Sequence, residues 1–205
     1  MNSRPMLFLV LVLACGASWA GSPFAFDGRV HDVKTQLPLE GVFVIVQWEN
    51  TGGGLVDART TCANLFITQT DALGRYHVPA YVPAISPFVD RTVTAFKIGY
   101  ESAIPRRAMP TEEFERYTRD MPMRAYAGTG DERIRQYNYT GYLEACGPDR
   151  LETLLKLLPL NQAIDQEART LQVSPERQRE LEGTIGYLRF FESEIRKLKS
   201  EGGLK

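Results

Sequence analysis

Histidine is scarce in this 205-residue sequence, which contains only His31 and His77. Both histidines fall on the polar side of alternating segments, where solvent exposure is expected. A zinc site needs three or four ligands, and two isolated imidazoles do not supply them. We also find no H-E-x-x-H, no G-x-S-x-G and no glycine-rich phosphate loop. The sequence therefore predicts no cofactor, no metal ion and no enzymatic activity.

An excess of charge of one sign is also missing. Lys and Arg together number 24 and Asp and Glu number 25, for a net charge of -1. Without a basic excess, binding of nucleic acid is not expected. The apolar run at residues 6–13 is shorter than the ~20 residues of a membrane-spanning helix. Hydrophobic residues make up 43% of the chain, which favours a globular protein over a disordered one.

The first twenty residues have the pattern of a secretory signal peptide. Arg4 supplies the positive n-region, residues 6–13 form the apolar segment, and Ser18 and Ala20 are the small residues of a cleavage site. Cleavage after Ala20 would release the chain outside the cytoplasm. We therefore expect an exported protein of the periplasm or the outer membrane.

Residues 11–16, Leu-Val-Leu-Ala-Cys-Gly, resemble a bacterial lipobox, in which the cysteine becomes the lipidated first residue. The resemblance implies a lipoprotein acylated at Cys15, and several acyl chains would hold the protein on a membrane. No other membrane contact is expected. Lipidation at Cys15 and ordinary cleavage after Ala20 are both open at this point, and the mass of the mature N-terminus distinguishes them.

The cysteine count predicts one disulfide bond. Cys15 is either lipidated or removed, which leaves Cys62 and Cys146. Two cysteines in an oxidising compartment are expected to pair. The bridge would close a loop of roughly 85 residues and stabilise the fold by about 4 kcal/mol. It would also link the strand region to the C-terminal tail.

Residues 22–125 show the alternation and turn signals of an all-β domain. Residues 42–48 begin with consecutive apolar side chains, as a central strand would. A long loop is expected over residues 50–64. Asp71 and Gly74 form the sharpest turn signal, because Asp accepts a backbone hydrogen bond and Gly tolerates positive φ. We expect this turn to join two antiparallel strands.

Four segments of this region resemble the carboxypeptidase regulatory-like domain in their order and spacing. They are residues 28–30, 38–42, 70–79 and 97–100. The resemblance implies a mainly β, transthyretin-like Greek-key sandwich of about seven strands. It also implies a non-catalytic accessory module with a docking or glycan-binding role and no peptidase residues. Leu73 stands where many relatives have Asp or Asn, which removes an oxygen ligand.

Residues 129–205 are predicted to form an α-helical tail. Thr129 and Glu132 fit a capping box, and Ser174 followed by Pro175 fits a helix start. Two apolar stripes at helical spacing are Leu160, Ile164, Ala168 and Leu171, and then Leu181, Ile185, Leu188, Ile195 and Leu198. Two antiparallel amphipathic helices would bury these stripes on the sandwich, on each other or on a partner.

The sequence supports two functions. The first is a cell-envelope accessory or docking protein that binds an envelope protein. The second is a carbohydrate-binding module for an envelope or extracellular glycan, in which Tyr137, Tyr139 and Tyr142 line the sugar site. Packing in the core is the alternative for these tyrosines and for Trp48. The identity of the partner and the oligomeric state are not encoded in any motif that we find.

Overall fold

A computed structural model describes residues 25–52, 59–81, 89–103, 111–137 and 150–202. The predicted signal segment, Cys15, Cys146, Tyr139 and Tyr142 lie outside the described residues. The strands are β1 (Phe26–Asp32), β2 (Phe43–Gly52), β3 (Arg59–Gln69), β4 (Arg75–Val78), β5 (Val89–Phe96) and β6 (Asp120–Met123). The helices are α1 (Thr111–Arg119), α2 (Gly130–Tyr137), α3 (Arg150–Ala168) and α4 (Gln178–Gly202), with a 3₁₀ turn (Pro175–Arg177) before α4. None of these helices has both the length and the apolarity needed to cross a bilayer.

The strands form two sheets of three strands each. In the first sheet β1 lies between β4 and β6, antiparallel to β4 and parallel to β6. In the second sheet β2 lies between β3 and β5 and is antiparallel to both. Strand β2 continues to Gly52 and β3 begins at Arg59, so both strands extend into the segment predicted as a loop.

The two sheets face each other across an apolar core, which we call the inter-sheet core. Its buried members are Val30, Leu39, Val42, Val44, Val46, Trp48, Tyr76, Val78, Val93, Ala95, Ala103, Met121 and Met123. Strand β2 contributes Val44, Val46 and Trp48. Because alternate residues of a strand point to opposite faces, Phe43 and Ile45 point away from the first sheet.

Phe43 and Ile45 belong to a second core, the helix-side core, between the second sheet and the C-terminal helices. Its buried members are Phe43, Ile45, Leu65, Phe96, Ile134, Tyr137, Leu154, Leu157, Leu160, Ile164, Ala168, Leu181, Phe191 and Ile195. Helices α3 and α4 pack on each other, and α3 also packs on β3. The two apolar stripes of the tail are therefore buried within the chain, on the sheet and on each other.

The predicted seven-stranded, transthyretin-like β-sandwich is wrong. The described residues form two small three-stranded sheets and four helices, which is an α/β fold. The physical reason lies in β2, whose side chains are apolar on both faces. The first sheet covers one face, and a sandwich with a separate tail would leave Phe43 and Ile45 in water. The helices cover the second face instead.

The turn at residues 71–74 is also used differently from the prediction. It connects β3 to β4, but β3 pairs with β2 and β4 pairs with β1. The turn therefore carries the chain from the second sheet to the first and does not close a hairpin. Turn chemistry specifies the local bend, whereas the choice of pairing partner depends on which sheet edge is open.

The helix starts agree with the sequence in one case and differ in another. The Thr129 N–H donates to Oε2 of Glu132 (2.9 Å), and the Glu132 N–H donates to Oγ1 of Thr129 (3.3 Å), so the capping box is confirmed. Ser174 makes no side-chain capping bond. Its N–H donates to the Asp131 carboxylate (2.8 Å), which ties the start of α4 to α2.

Candidate functional site

An exposed turn follows β1 and is held by the Asp32 carboxylate. This group accepts hydrogen bonds from the N–H groups of Lys34 (2.8 Å) and Thr35 (2.7 Å) and from the Thr35 hydroxyl (3.1 Å). The Thr35 N–H contributes most to lowering the pKa of Asp32, so the carboxylate is charged at neutral pH. The Asp32 N–H donates to the Leu37 carbonyl (2.9 Å), which closes the turn.

A second turn, at residues 71–74, is held by another aspartate. The Asp71 carboxylate accepts hydrogen bonds from the N–H groups of Leu73 (2.9 Å) and Arg75 (2.8 Å). The Gly74 N–H donates to the Asp71 carbonyl (2.8 Å), and Gly74 has a φ of 70°. Glycine adopts this left-handed conformation without the steric cost that a side chain adds.

The two turns lie against each other at one end of the first sheet. The Val30 N–H donates to the Gly74 carbonyl (2.8 Å), and the Leu39 N–H donates to the Val30 carbonyl (3.0 Å). A methyl group on Gly74 would lie 2.4 Å from the Val30 oxygen and 3.1 Å from Cβ of Pro38. Gly74 is therefore required for the close approach of the two turns as well as for its own conformation.

The paired turns expose three aliphatic side chains, which we call the apolar tip. Leu37 is 63% exposed, Leu73 is 55% exposed and Val33 is 39% exposed. All three lie on turns at the same end of the first sheet, where large apolar side chains are available to a partner. The carboxylates of Asp32 and Asp71 fix both turns, so the tip can bind with little loss of conformational entropy.

A polar cleft of about 390 Å³ lies beside α2. Its lining residues are Glu101, Tyr126, Gly128, Glu132, Arg135 and Gln136. The Thr129 N–H lowers the pKa of Glu132, which is therefore held as a carboxylate and is unsuited to act as a general acid. Burial raises the pKa of Tyr126, which remains a neutral phenol. The lining offers a carboxylate and a phenol hydroxyl as hydrogen-bond partners for a small polar molecule.

A buried ion pair lies next to the cleft. Nη2 of Arg133 donates to Oε2 (2.7 Å) and Oε1 (3.0 Å) of Glu167, and Arg133 is fully buried. The Tyr137 hydroxyl donates to Glu167 (2.9 Å), as does the Gly99 N–H (2.8 Å). Nη1 of Arg133 donates to Oε1 of Gln136 (2.8 Å), and the guanidinium lies 5.1 Å from the Tyr126 ring.

This network is structural. Burial raises the pKa of Tyr137, and the charge of Glu167 raises it further, so the hydroxyl stays protonated and continues to donate. Because Glu167 receives hydrogen bonds from several donors, its charge is compensated inside the protein. The network connects the segment after β5 to α2 and α3, and it holds one wall of the polar cleft in place.

The two histidines lie apart on the first sheet. Nδ1 of His77 lies 2.7 Å from Oδ1 of Asp27 on the exposed face. Nδ1 of His31 lies 3.0 Å from Oδ1 of Asp120, and this imidazole is largely covered rather than solvent-facing. Among the described residues, no cluster of three His, Cys, Asp or Glu side chains is placed to hold a metal ion.

The structure describes one of the two cysteines that are predicted to form a disulfide bond. Cys62 lies in β3 and is not a free thiol. Because Cys146 lies outside the described residues, the disulfide between Cys62 and Cys146 stays a prediction.

Trp48 and Tyr137 are buried in the inter-sheet and helix-side cores. Core packing is therefore the role of both rings, and neither is available as a sugar platform.

Sequence reasoning missed the polar cleft and the ion pair. A signal for the pair was present, because Glu167 falls within the apolar stripe that includes Ile164, Ala168 and Leu171. A charged residue inside an apolar stripe needs a buried partner. The identity of that partner, Arg133, was not readable, because it lies 34 positions earlier in the chain.

No family model, curated protein or solved structure matches this chain. The resemblance to the carboxypeptidase regulatory-like domain therefore stays a prediction, and the seven-stranded fold that it implies differs from the one described above.

Proposed function

We propose that this chain is a non-catalytic, exported docking protein of the cell envelope and that it binds a partner protein through the apolar tip. The observation that carries the proposal is the exposure of Leu37 and Leu73 on two hydrogen-bonded turns. Apolar surface on a backbone that is held in one conformation binds with a smaller ordering cost. Export rests on the signal pattern of the first twenty residues.

Two further observations support a binding role. The apolar stripes of the tail pack on the second sheet and on each other, so they are not needed for a partner. The buried charges of Arg133 and Glu167 are satisfied by one another and by their neighbours, so they too have a structural role. The exposure of Leu37 and Leu73 in the apolar tip has no role in the packing of the fold.

The apolar tip is tested by point substitution. Deleting the tail is unsuitable, because it would uncover Phe43 and Ile45. We would place a photo-crosslinking amino acid at Leu73 in the native host and compare the chain with its Leu37→Asp variant. Leu155→Asp is the matched control, because Leu155 is an exposed leucine (39%) on α3.

A crosslinked partner that is lost with Leu37→Asp and retained with Leu155→Asp is the expected result. Equal crosslinking in all three chains, or no crosslink from position 73, would contradict binding through the tip. Thermal unfolding of each variant checks that the exposed substitutions leave the fold intact.

A second candidate function, binding of a glycan, rests on the polar cleft. Sugars are bound by aromatic rings together with carboxylate and amide groups, and the cleft combines Tyr126 with Glu101, Glu132 and Gln136. Calorimetric titration with soluble peptidoglycan fragments tests this function. Tyr126→Ala should abolish binding, whereas Tyr126→Phe should retain it because the ring remains. Titrations without heat for the unmodified chain would exclude these sugars.

A further inference from the structure

Helix α4 buries only one of its faces. The buried residues are Leu181, Thr184, Phe191 and Ile195. Gly183, Gly186 and Phe190 lie together on another side of the helix, since positions three, four and seven apart share a face. We call this side the glycine–phenylalanine face. Phe190 is 58% exposed, although one edge of its ring packs near Tyr187, with 6.3 Å between ring centroids.

The two glycines have no packing role within the chain. A methyl group at Gly183 or Gly186 would have no atom within 4 Å, whereas one at Gly130 would lie 2.0 Å from the Gln172 oxygen. Glycine weakens the interior of a helix because it loses the most backbone freedom on folding. The isolated chain therefore gains nothing from Gly183 and Gly186, while a closely approaching second helix would need them.

We infer that a second copy of this chain covers the glycine–phenylalanine face, with the two α4 helices antiparallel. Gly183 and Phe190 are seven residues apart, which is about two helical turns. If the helices cross between residues 186 and 187, Phe190 of each copy lies over Gly183 of the other. A two-fold symmetric dimer contains two such contacts. In each of them, the missing side chain of Gly183 leaves room for the Phe190 ring of the other copy.

The charges along the same face fit this arrangement. In the antiparallel register, Arg179 of one copy lies opposite Glu194 of the other. A parallel, in-register pair would instead place Arg179 opposite Arg179 and Glu194 opposite Glu194. Glu194 also pairs with Arg150 of its own chain at 3.3 Å, so in the dimer its carboxylate would be shared between Arg150 and Arg179 of the second copy. Opposite charges favour the antiparallel dimer and disfavour the parallel one.

The first test is sedimentation of the purified chain over a wide range of concentration. We expect a monomer–dimer equilibrium for the unmodified chain and a loss of at least about tenfold in affinity for Phe190→Ser and for Gly183→Leu. Arg189→Glu is the control, because Arg189 is an exposed residue of α4 outside the glycine–phenylalanine face. It should dimerise like the unmodified chain.

The second test uses charge exchange. Arg179→Glu and Glu194→Lys should each weaken self-association, because each places like charges together. Mixing the two variants should restore it, because both contacts are then between opposite charges. Circular dichroism of each variant checks that α4 is retained.

A chain that is monomeric at every concentration overturns the proposal, and so does self-association that Phe190→Ser leaves unchanged. Mixing without restored association would overturn the antiparallel register. None of these results affects the apolar tip, whose residues lie on turns at the end of the first sheet.

Discussion

The inter-sheet core and the helix-side core share strand β2 but differ in the polar groups that they bury. Between the sheets, the core is made of aliphatic and aromatic side chains, and the Tyr76 hydroxyl donates to the Thr118 carbonyl at its edge. On the helix side, a complete ion pair, Arg133 with Glu167, is buried. Apolar contacts are non-directional, whereas an ion pair with several hydrogen bonds is compensated in only one geometry.

The comparison indicates how the helices are positioned. A sheet packed on a sheet is already restricted by its strand pairing. Helices on a sheet can slide or rotate, because no ladder of backbone hydrogen bonds fixes their position. We interpret the Arg133–Glu167 network as the feature that fixes α2 and α3 against the second sheet. Four predictions test this difference, from the largest expected effect to the smallest.

Replacing Glu167 should have the largest effect. Glu167→Ala leaves the Arg133 charge buried without compensation and should lower the free energy of unfolding by about 3–5 kcal/mol. Urea unfolding measures this loss. The exposed pair of Glu152 and Lys156 is the control, and Glu152→Gln should cost at most about 0.5 kcal/mol. Equal losses for the two variants would contradict a special role for the buried network.

Replacing two glycines at the helix side by alanine should change the free energy of unfolding in opposite directions. Gly130→Ala places a methyl group 2.0 Å from the Gln172 carbonyl oxygen and should destabilise the fold by about 1–3 kcal/mol. Gly183→Ala meets no neighbour and should stabilise the monomer by about 1 kcal/mol. Thermal unfolding at low protein concentration measures both changes. A loss of stability for Gly183→Ala would show that α4 packs more closely than described.

In the inter-sheet core, the loss of one buried hydrogen bond should lower the free energy of unfolding by a smaller amount. Tyr76→Phe removes the donor to the Thr118 carbonyl and should cost about 1 kcal/mol, because both groups involved are neutral. The ring stays in place, so the apolar core is unchanged. Urea unfolding under the conditions used for Glu167→Ala gives the direct comparison. A loss as large as that of Glu167→Ala would remove the distinction between the two cores.

The smallest expected effect is on the pH dependence of stability under acidic conditions. The Ser174 N–H lowers the pKa of Asp131, and this bond joins α2 to the segment before α4. A lowered folded pKa stabilises the protein above the unfolded value of about 3.9, and the contribution is lost as the pH falls below it. Asp131→Asn should therefore unfold with a weaker dependence on pH below about 4. An unchanged acid unfolding profile would contradict this linkage.

Several elements could be predicted because their signals are local. The capping box of Thr129 and Glu132 acts within one helical turn, and the bend at Asp71 and Gly74 needs only four residues. The amphipathic stripes of α3 and α4 were also readable, since burial of a helix face follows its spacing. The polar cleft was not predictable, because its lining comes from two segments about thirty residues apart in the sequence.

The amino-acid sequence by itself determined the bend at Asp71 and Gly74, the capping box of Thr129 and Glu132, and which faces must be buried, because these depend on neighbouring residues. Only the tertiary structure decided what covers each face. Residues 42–48 require apolar cover on both sides, but nothing local to them specifies a sheet on one side and helices on the other. The pairing of Arg133 with Glu167 and the approach of Gly74 to Val30 and Pro38 likewise depend on packing between distant segments, which a local pattern does not encode.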